Sequence, residues 1–365
     1  MKLDRIEVSG FKSIRELKLD LRPLNVLIGA NGSGKSNFIA IFELLNHVVR
    51  GSFQLFVAKG GGAESFLYYG QKSTEEIQIR LVFGPNAYSC TWVPAINDTL
   101  VFGDETTFYH SQGYPRPYSY TVGSGHRESR LSGAAIYSPR NVESYVLDNL
   151  KSWNVYHFHD TSESAPVKKS RDISDNLYLR PDASNLAAFL YLLQQTKKQH
   201  YEAIRDIIRL VTPFFDDFLL RPHPENENMI RLEWREKGSD YPFQAYHLSD
   251  GTLRFICLAT LLLQPELPST ILIDEPELGL HPYAIVILGS LMRSAAERTQ
   301  LIISTQSVSL VNQFDAEDLL IVKRNEHDNR YETVIERVDP ERLDAWLEEY
   351  ALGELWEKNV LGGRP

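Results

Sequence analysis

The stretch Gly29-Ala30-Asn31-Gly32-Ser33-Gly34-Lys35-Ser36 constrains this chain more than any other. It follows a short apolar run, Leu24-Asn25-Val26-Leu27-Ile28, whose continuous hydrophobicity predicts a strand buried on both faces. After it the period changes. Phe38, Ile41, Phe42, Leu45, Val48 and Val49 recur at helical spacing along one side. A strand, a glycine turn and a helix in that order, ending in Gly-Lys-Ser, fit the Walker A pattern. Glycines let successive backbone N–H groups turn inward around an anion, and the next helix points its positive end at the same place. In this pattern Lys35 reaches the β- and γ-phosphates and Ser36 offers its hydroxyl to Mg²⁺. Gly29, Ala30, Asn31, Gly32, Ser33, Gly34 and the following Asn37 complete the candidate cradle.

A second apolar run, Ile271-Leu272-Ile273, ends in Asp274-Glu275-Pro276. Carboxylates at a buried strand end beside phosphates require a compensating cation. Mg²⁺ held by Asp274 supplies it, and Glu275 then stands where it can orient and deprotonate an attacking water. ATP and Mg²⁺ are therefore the expected ligands. Lys35 and Glu275 are the expected catalytic groups, and Ser36 and Asp274 the expected metal ligands.

Elsewhere, residues 2–8 and 16–21 alternate as strands of a hairpin around Gly10, and 77–83 and 88–93 read as two more strands. Residues 103–135 are rich in Gly, Ser, Tyr and Pro, show no period, and read as a long irregular loop. Residues 184–219 carry helical stripes, and 229–235 alternate as a strand. From Leu248 onward the pattern is helix, strand, helix, strand, helix, strand, which implies a mainly parallel sheet covered on both faces. No repeat and no long heptad run appears. With 365 residues the expectation is one large domain with an insertion, or two domains. A formal net charge of −10 argues that any nucleic-acid contact comes from a local patch. The two cysteines, Cys90 and Cys257, lie far apart and imply neither a disulfide framework nor a zinc site. With no signal-like start and no apolar run of membrane-spanning length, a cytoplasmic location with no membrane partner is the expectation.

Leu248-Ser249-Asp250-Gly251-Thr252 opens a predicted helix with Ser249 as N-cap. It lies about 25 residues upstream of Asp274, room for one helix of about four turns, a loop and a strand. This order of motifs resembles ABC-type ATPases, in which an LSxG-type signature lies one helix before the second acidic strand. The resemblance is closer to the RecF/SMC branch, often called AAA-family or RecF-like ATPases. It is carried by Phe11-Lys12-Ser13-Ile14, by Asn31 to Asn37, by Leu248 to Phe255 and by Ile273 to Pro282. Gly353-Glu354-Leu355-Trp356 and Gly362-Gly363 also look like that group. It covers roughly the first 95 and last 140 residues.

The resemblance implies an α/β P-loop NTPase head of ABC type, with an antiparallel β-lobe and a helical inserted subdomain. The halves of the head would be 1–95 and 225–365, with the insertion at 96–224. It implies a homodimer with ATP sandwiched between heads, where Ser249 and Gly251 of one head meet the γ-phosphate on the other. Glu277 to His281 resembles the loop that touches the opposite head. Leu301 to Ser307 resembles the switch strand, with Gln306 where many relatives carry histidine. Gln306 can hydrogen-bond water or phosphate but cannot take a proton near neutral pH. Gln71 falls where relatives place a glutamine that senses Mg²⁺ and the γ-phosphate, and a surface glutamine is the other reading.

His157-Phe158-His159-Asp160 puts two histidines on one face of a strand, which reads as packing because no further ligand cluster is evident. Arg116, Arg127, Arg130 and Arg140 lie among Tyr109, Tyr114, Tyr118 and Tyr120, a composition that suits either a nucleic-acid track or a solvated loop. Two function classes stay open. One is an ATP-driven enzyme acting on DNA in repair or genome maintenance. The other is an ATP-gated subunit controlling a separate nuclease or effector protein in anti-phage defence. No nuclease motif is present in the sequence, and a small-molecule kinase would not need the signature segment.

Overall fold

The computed structural model describes residues 2–110, 118–136, 141–327 and 329–363. The chain opens with β1 (Arg5–Phe11) and β2 (Ile14–Asp20), then the apolar strand β3 (Leu24–Ile28). The first turn lies at Lys12–Ser13, with Lys12 at φ 48°, two residues beyond the expected Gly10. Helices α1 (Lys35–Val49) and α2 (Phe53–Lys59) lead to the antiparallel strands β4 (Ile77–Phe83), β5 (Asn86–Ala95), β6 (Thr99–Tyr109) and β7 (Tyr118–Gly123). Then come α3 (Leu131–Ile136), α4 (Val142–Ser152), β8 (Trp153–Tyr156), the two-residue β9 (Arg171–Asp172), α5 (Leu186–Thr196) and α6 (Lys198–Val211). Five short strands follow: β10 (Phe215–Phe218), β11 (Pro222–His223), β12 (Asn226–Ile230), β13 (Glu233–Glu236) and β14 (Phe243–Gln244). The chain then alternates α7 (Asp250–Leu263), β15 (Thr270–Asp274), α8 (Pro282–Arg298), β16 (Gln300–Thr305), α9 (Val308–Val311) and β17 (Leu319–His327). It closes with β18 (Arg330–Arg337), α10 (Asp344–Leu347) and α11 (Leu352–Glu357).

Among the described residues the strands form two large sheets. One is antiparallel, in the order β2-β1-β4-β5-β6-β7; the other runs β18-β17-β3-β16-β15-β8 and is parallel apart from β18. Alternate residues of the parallel strands divide between two cores. Val26, Ile28, Ile271, Ile273, Leu301 and Ile303 pack with α5, α6, α7 and α8. Leu27, Leu272, Ile302 and Leu320 pack against α1 and the antiparallel sheet. Burial on both faces is why β3 and β15 read as continuous apolar runs. It also explains why α1 buries Ile39, Ala40 and Leu44 beyond its expected stripe, since it lies between two sheets.

Two expectations are corrected. The irregular loop expected at 103–135 holds regular elements among its described residues: β6 runs to Tyr109, β7 spans Tyr118–Gly123, and α3 begins at Leu131, while 111–117 lie outside the described residues. A register shift between Glu105 and Thr106 makes Glu105, Thr106 and Thr107 buried in succession, which erases the period-two signal, and β7 is exposed along most of its length. The strand expected at 229–235 is split at Arg231–Leu232 between two three-stranded sheets. Tyr114, Arg116 and Arg140 lie outside the described residues. Among the described residues no helix is long and apolar enough to cross a membrane.

Candidate nucleotide-binding site

The carboxyl ends of four neighbouring parallel strands converge at one edge, where ligands of open α/β sheets characteristically bind. β3 delivers the glycine loop, β16 delivers Gln306, β15 delivers Asp274 and Glu275, and β8 delivers His157 and His159. Register sets the levels. Thr305 pairs with Ile28, so Gln306 stands beside the start of the glycine loop, and Asp274 pairs with Ser304.

The loop is fixed from behind. Gly34, the N-cap of α1, has φ 113°, and a Cβ there would lie 2.0 Å from Thr333 Oγ1. Thr333 donates to the Ser33 carbonyl (2.9 Å) and shares a hydrogen bond with Ser13 Oγ (2.7 Å). Asn37 Nδ2 donates to the same Ser13 hydroxyl (2.6 Å). Thus the Phe11–Ile14 turn braces the loop. Asn31, Gly32 and Ser36 are exposed, while Gly29, Ser33 and Lys35 are buried.

Lys35 Nζ donates to the carbonyls of Gly29 (2.6 Å) and Ala30 (3.1 Å). Burial pushes its pKa down, and the nearby Glu275, Asp274 and Glu277 push it back up. Three carboxylates face one ammonium here, so a polyphosphate would add charge to a site already negative. That balance requires a divalent cation, and the oxygen donors of Ser36 and Asp274 suit Mg²⁺. Ser33 Oγ is buried without a partner inside the loop, as is Ser304 Oγ on the adjacent strand. An unsatisfied buried hydroxyl in a loop whose lysine, among the described residues, bonds that loop's own carbonyls fits a cradle built for a phosphate chain.

Glu275 has φ 42°, a left-handed conformation uncommon for a side chain of this kind and concentrated at functional sites. Its N–H donates to the Ser304 carbonyl (2.8 Å), and its carboxylate accepts a hydrogen bond from the Gln306 amide. Glu277 accepts from the Thr305 hydroxyl (2.6 Å) and the Gln306 N–H (3.1 Å), while its other oxygen is buried and unpartnered. Burial raises the Glu277 pKa. The two glutamates therefore grip Gln306 at opposite ends, one by its side chain and one by its main chain.

The signature segment lies against the loop after β15. Ser249 caps α7 by accepting from the Thr252 N–H (3.2 Å), and a Cβ on Gly251 would stand 2.2 Å from the Gly279 carbonyl oxygen. Asp250 turns toward Lys168, 3.9 Å away, which takes that acid off the helix end. Arg254 is 6% exposed and donates to the carbonyls of Phe158 (3.0 Å), His159 (3.2 Å) and Leu278. Desolvation lowers its pKa. Ser249 and Gly251 thus sit with the 277–281 loop rather than in the glycine-loop cluster.

Gln71 is exposed, and its main-chain N–H donates to Glu64 (3.0 Å); no described contact joins its side chain to Ser36 or Asp274. His159 Nε2 bonds the Asp274 carbonyl oxygen (2.8 Å), and His157 Nε2 bonds Glu43 (2.9 Å), which raises the His157 pKa. In the sequence these histidines read as packing. Their paired spacing is the available signal, but only the place of β8 at the sheet edge brings His159 to Asp274 and His157 to Glu43 on α1. Among the described residues no group of three or more His, Cys, Asp or Glu side chains is placed to hold a metal ion.

A family model described as "AAA domain, putative AbiEii toxin, Type IV TA system" matches residues 117–312, and one described as "AAA ATPase domain" matches residues 1–83. The OLD nuclease of Thermus scotoductus is 22% identical over 383 residues, spanning 96% of this chain and 67% of that protein. In fold the chain is similar to an SMC head bound to the C-winged helix domain of ScpA (TM-score 0.57, 16% identity, 94% of this chain and 99% of that one). It is similar also to the SMC head with an extended coiled coil bound to the C-terminal domain of ScpA from Pyrococcus furiosus (TM-score 0.53, 15% identity, 95% and 99%). The chain belongs to this AAA domain family and is a RecF/SMC-like ABC-type ATPase in fold and motif order.

Proposed function

We propose that this chain binds ATP with Mg²⁺, hydrolyses it to ADP and phosphate, and closes as a homodimer around the nucleotide. The convergence of Lys35, Asp274, Glu275 and Gln306 at one sheet edge supports this reading above all. Lys35 transfers its donors from the Gly29 and Ala30 carbonyls to phosphate oxygens. Ser36 and Asp274 would hold Mg²⁺, which neutralises charge on the phosphates. Glu275, held by Gln306, accepts the proton of a water whose oxygen attacks the γ-phosphorus, and the bond from that phosphorus to the β-phosphate oxygen breaks. Ser249, Gly251 and the amino end of α7 contact the γ-phosphate on the partner head.

Glu275→Gln keeps the Gln306 contact but removes the base. Turnover should fall at least about 100-fold, and light scattering with ATP and Mg²⁺ should show a persistent dimer. A variant that stays monomeric sinks the sandwich; one that turns over normally sinks Glu275 as base.

In biological role, similarity to the OLD nuclease across 96% of the chain favours an ATPase coupled to a nuclease or effector activity. A role in DNA repair rests on fold analogy alone. Slow turnover with a co-purifying effector supports the first role, and strong stimulation of turnover by DNA alone supports the second.

A further inference from the structure

The segment 352–363 runs from the switch to the glycine loop. At one end, the Gly353 N–H donates to Asn312 Oδ1 (2.7 Å), and a Cβ on Gly353 would stand 2.6 Å from the Val308 carbonyl oxygen. Val308 opens α9, two residues after Gln306. Leu352, Leu355 and Trp356 are buried behind this contact. At the other end, the indole N–H of Trp356 donates to the Gly363 carbonyl (2.8 Å). Gly363 has φ 63°, and a Cβ there would lie 2.8 Å from Ile321 Cγ2, 3.3 Å from the Val322 carbonyl oxygen and 3.9 Å from Gly29 Cα. Gly29 has no more room, since its own Cβ would lie 2.1 Å from the same Val322 oxygen. Two glycines therefore let the tail, β17 and the phosphate loop stack main chain on main chain.

We propose that residues 352–363 form a strap that fixes the phosphate loop relative to the switch, with Trp356 and Gly363 as positioning residues for nucleotide binding. The inference rests on the reading that the loop binds ATP. Gly29 is where the strap exerts its effect, because its carbonyl is the nearest partner of Lys35. A side chain at position 363 crowds Ile321 and the Val322 carbonyl on which Gly29 packs, so it shifts that stack or lifts the tail from it, and either outcome moves the lysine's anchor. A strap that served only packing would change stability and leave affinity alone.

The test measures ATP affinity and the nucleotide-free unfolding midpoint of the full chain, in wild type, Gly363→Val and Trp356→Phe. Gly363→Val should weaken ATP binding by the folded chain at least about tenfold, beyond what the lower midpoint expected from its strained backbone accounts for. Trp356→Phe keeps most of the ring and removes the donor, so a weakening of about two- to tenfold is expected; this variant decides the matter if the first fails to fold. Wild-type affinity in a folded variant carrying either change, or an affinity loss that only follows the midpoint, overturns the strap. A wild type that binds no ATP overturns the site reading and the strap together.

Discussion

The nucleotide edge of the parallel sheet and the outer half of the antiparallel sheet both bury charge, but they solve the problem differently. At the nucleotide edge Lys35, Asp274, Glu275 and Glu277 stand together with polar atoms left over: one Glu277 oxygen, Ser33 Oγ and Ser304 Oγ. In the antiparallel sheet Glu105 is fully buried and well satisfied. It accepts from Tyr88 (2.8 Å), His126 (2.9 Å), Ser129 (2.5 Å) and the Arg130 N–H (3.0 Å). His126 Nδ1 and Trp92 Nε1 are unpartnered in that lobe too, but both Glu105 oxygens are filled; a carboxylate so held keeps structure, whereas charged groups clustered with open bonds at the strand ends suit a ligand. The first region should therefore govern binding and the second stability.

The largest effect expected from this difference is on affinity. Lys35→Met keeps the packed stem and removes the ammonium. Two charge-assisted hydrogen bonds to phosphate are worth about 3 kcal/mol or more together, a loss of at least about 100-fold in ATP affinity. Because burial already disfavours the charged lysine, the nucleotide-free unfolding midpoint should hold steady or rise. Calorimetric titration together with thermal unfolding measures both. A variant that binds ATP normally, or that unfolds early, erases the contrast.

The reverse pattern is expected at Glu105. Glu105→Ala strands the Tyr88 hydroxyl and the His126 ring in the interior, while half-buried Ser129 and the Arg130 N–H can turn to water. Breaking such a buried charged network costs about 3–5 kcal/mol. Urea unfolding should show that loss, while the ATP affinity of the folded protein stays within about twofold of wild type. An affinity that falls as steeply as the stability would mean that the lobe sets the site directly.

The same contrast explains what could be read in the sequence. The glycine loop, the acidic strand end and the helix that opens at Ser249 are local: a few consecutive residues impose the backbone and carry the candidate groups together. Leu24–Ile28, Thr270–Asp274 and Gln300–Thr305 were legible because parallel strands buried on both faces are simply apolar. The lobe depends on pairing between distant segments. The shift at Glu105–Thr106 breaks its alternation, and Trp153–Tyr156 is too short to announce itself as the sheet's edge strand. The Glu277–Gln306–Glu275 grip was half legible: each residue was named, but its bonds depend on how β15 and β16 align. The partners of Arg254 are three backbone carbonyls from two distant segments, which leave no trace in composition.

The smallest effect is expected where the two regions meet. His157, just past β8, bonds Glu43 on α1, the helix packed between the two sheets. That hydrogen bond, more than the opposing desolvation, raises the imidazole pKa above its ordinary 6.5. A histidine with a raised folded pKa adds stability that is complete below its unfolded pKa and is lost as pH rises through the folded one. The unfolding midpoint of wild type should therefore exceed that of His157→Gln near pH 6, with the gap closing as pH rises beyond the raised value. Both side chains are substantially exposed, at 46% and 33%, so the gap is small and salt should shrink it. ATP affinity should follow the same pH course only weakly, since His157 touches α1 rather than the phosphate loop. A gap that widens with pH would reverse the sign of the linkage, and a strong pH dependence of ATP affinity removed by His157→Gln would move this histidine from the seam into the nucleotide site.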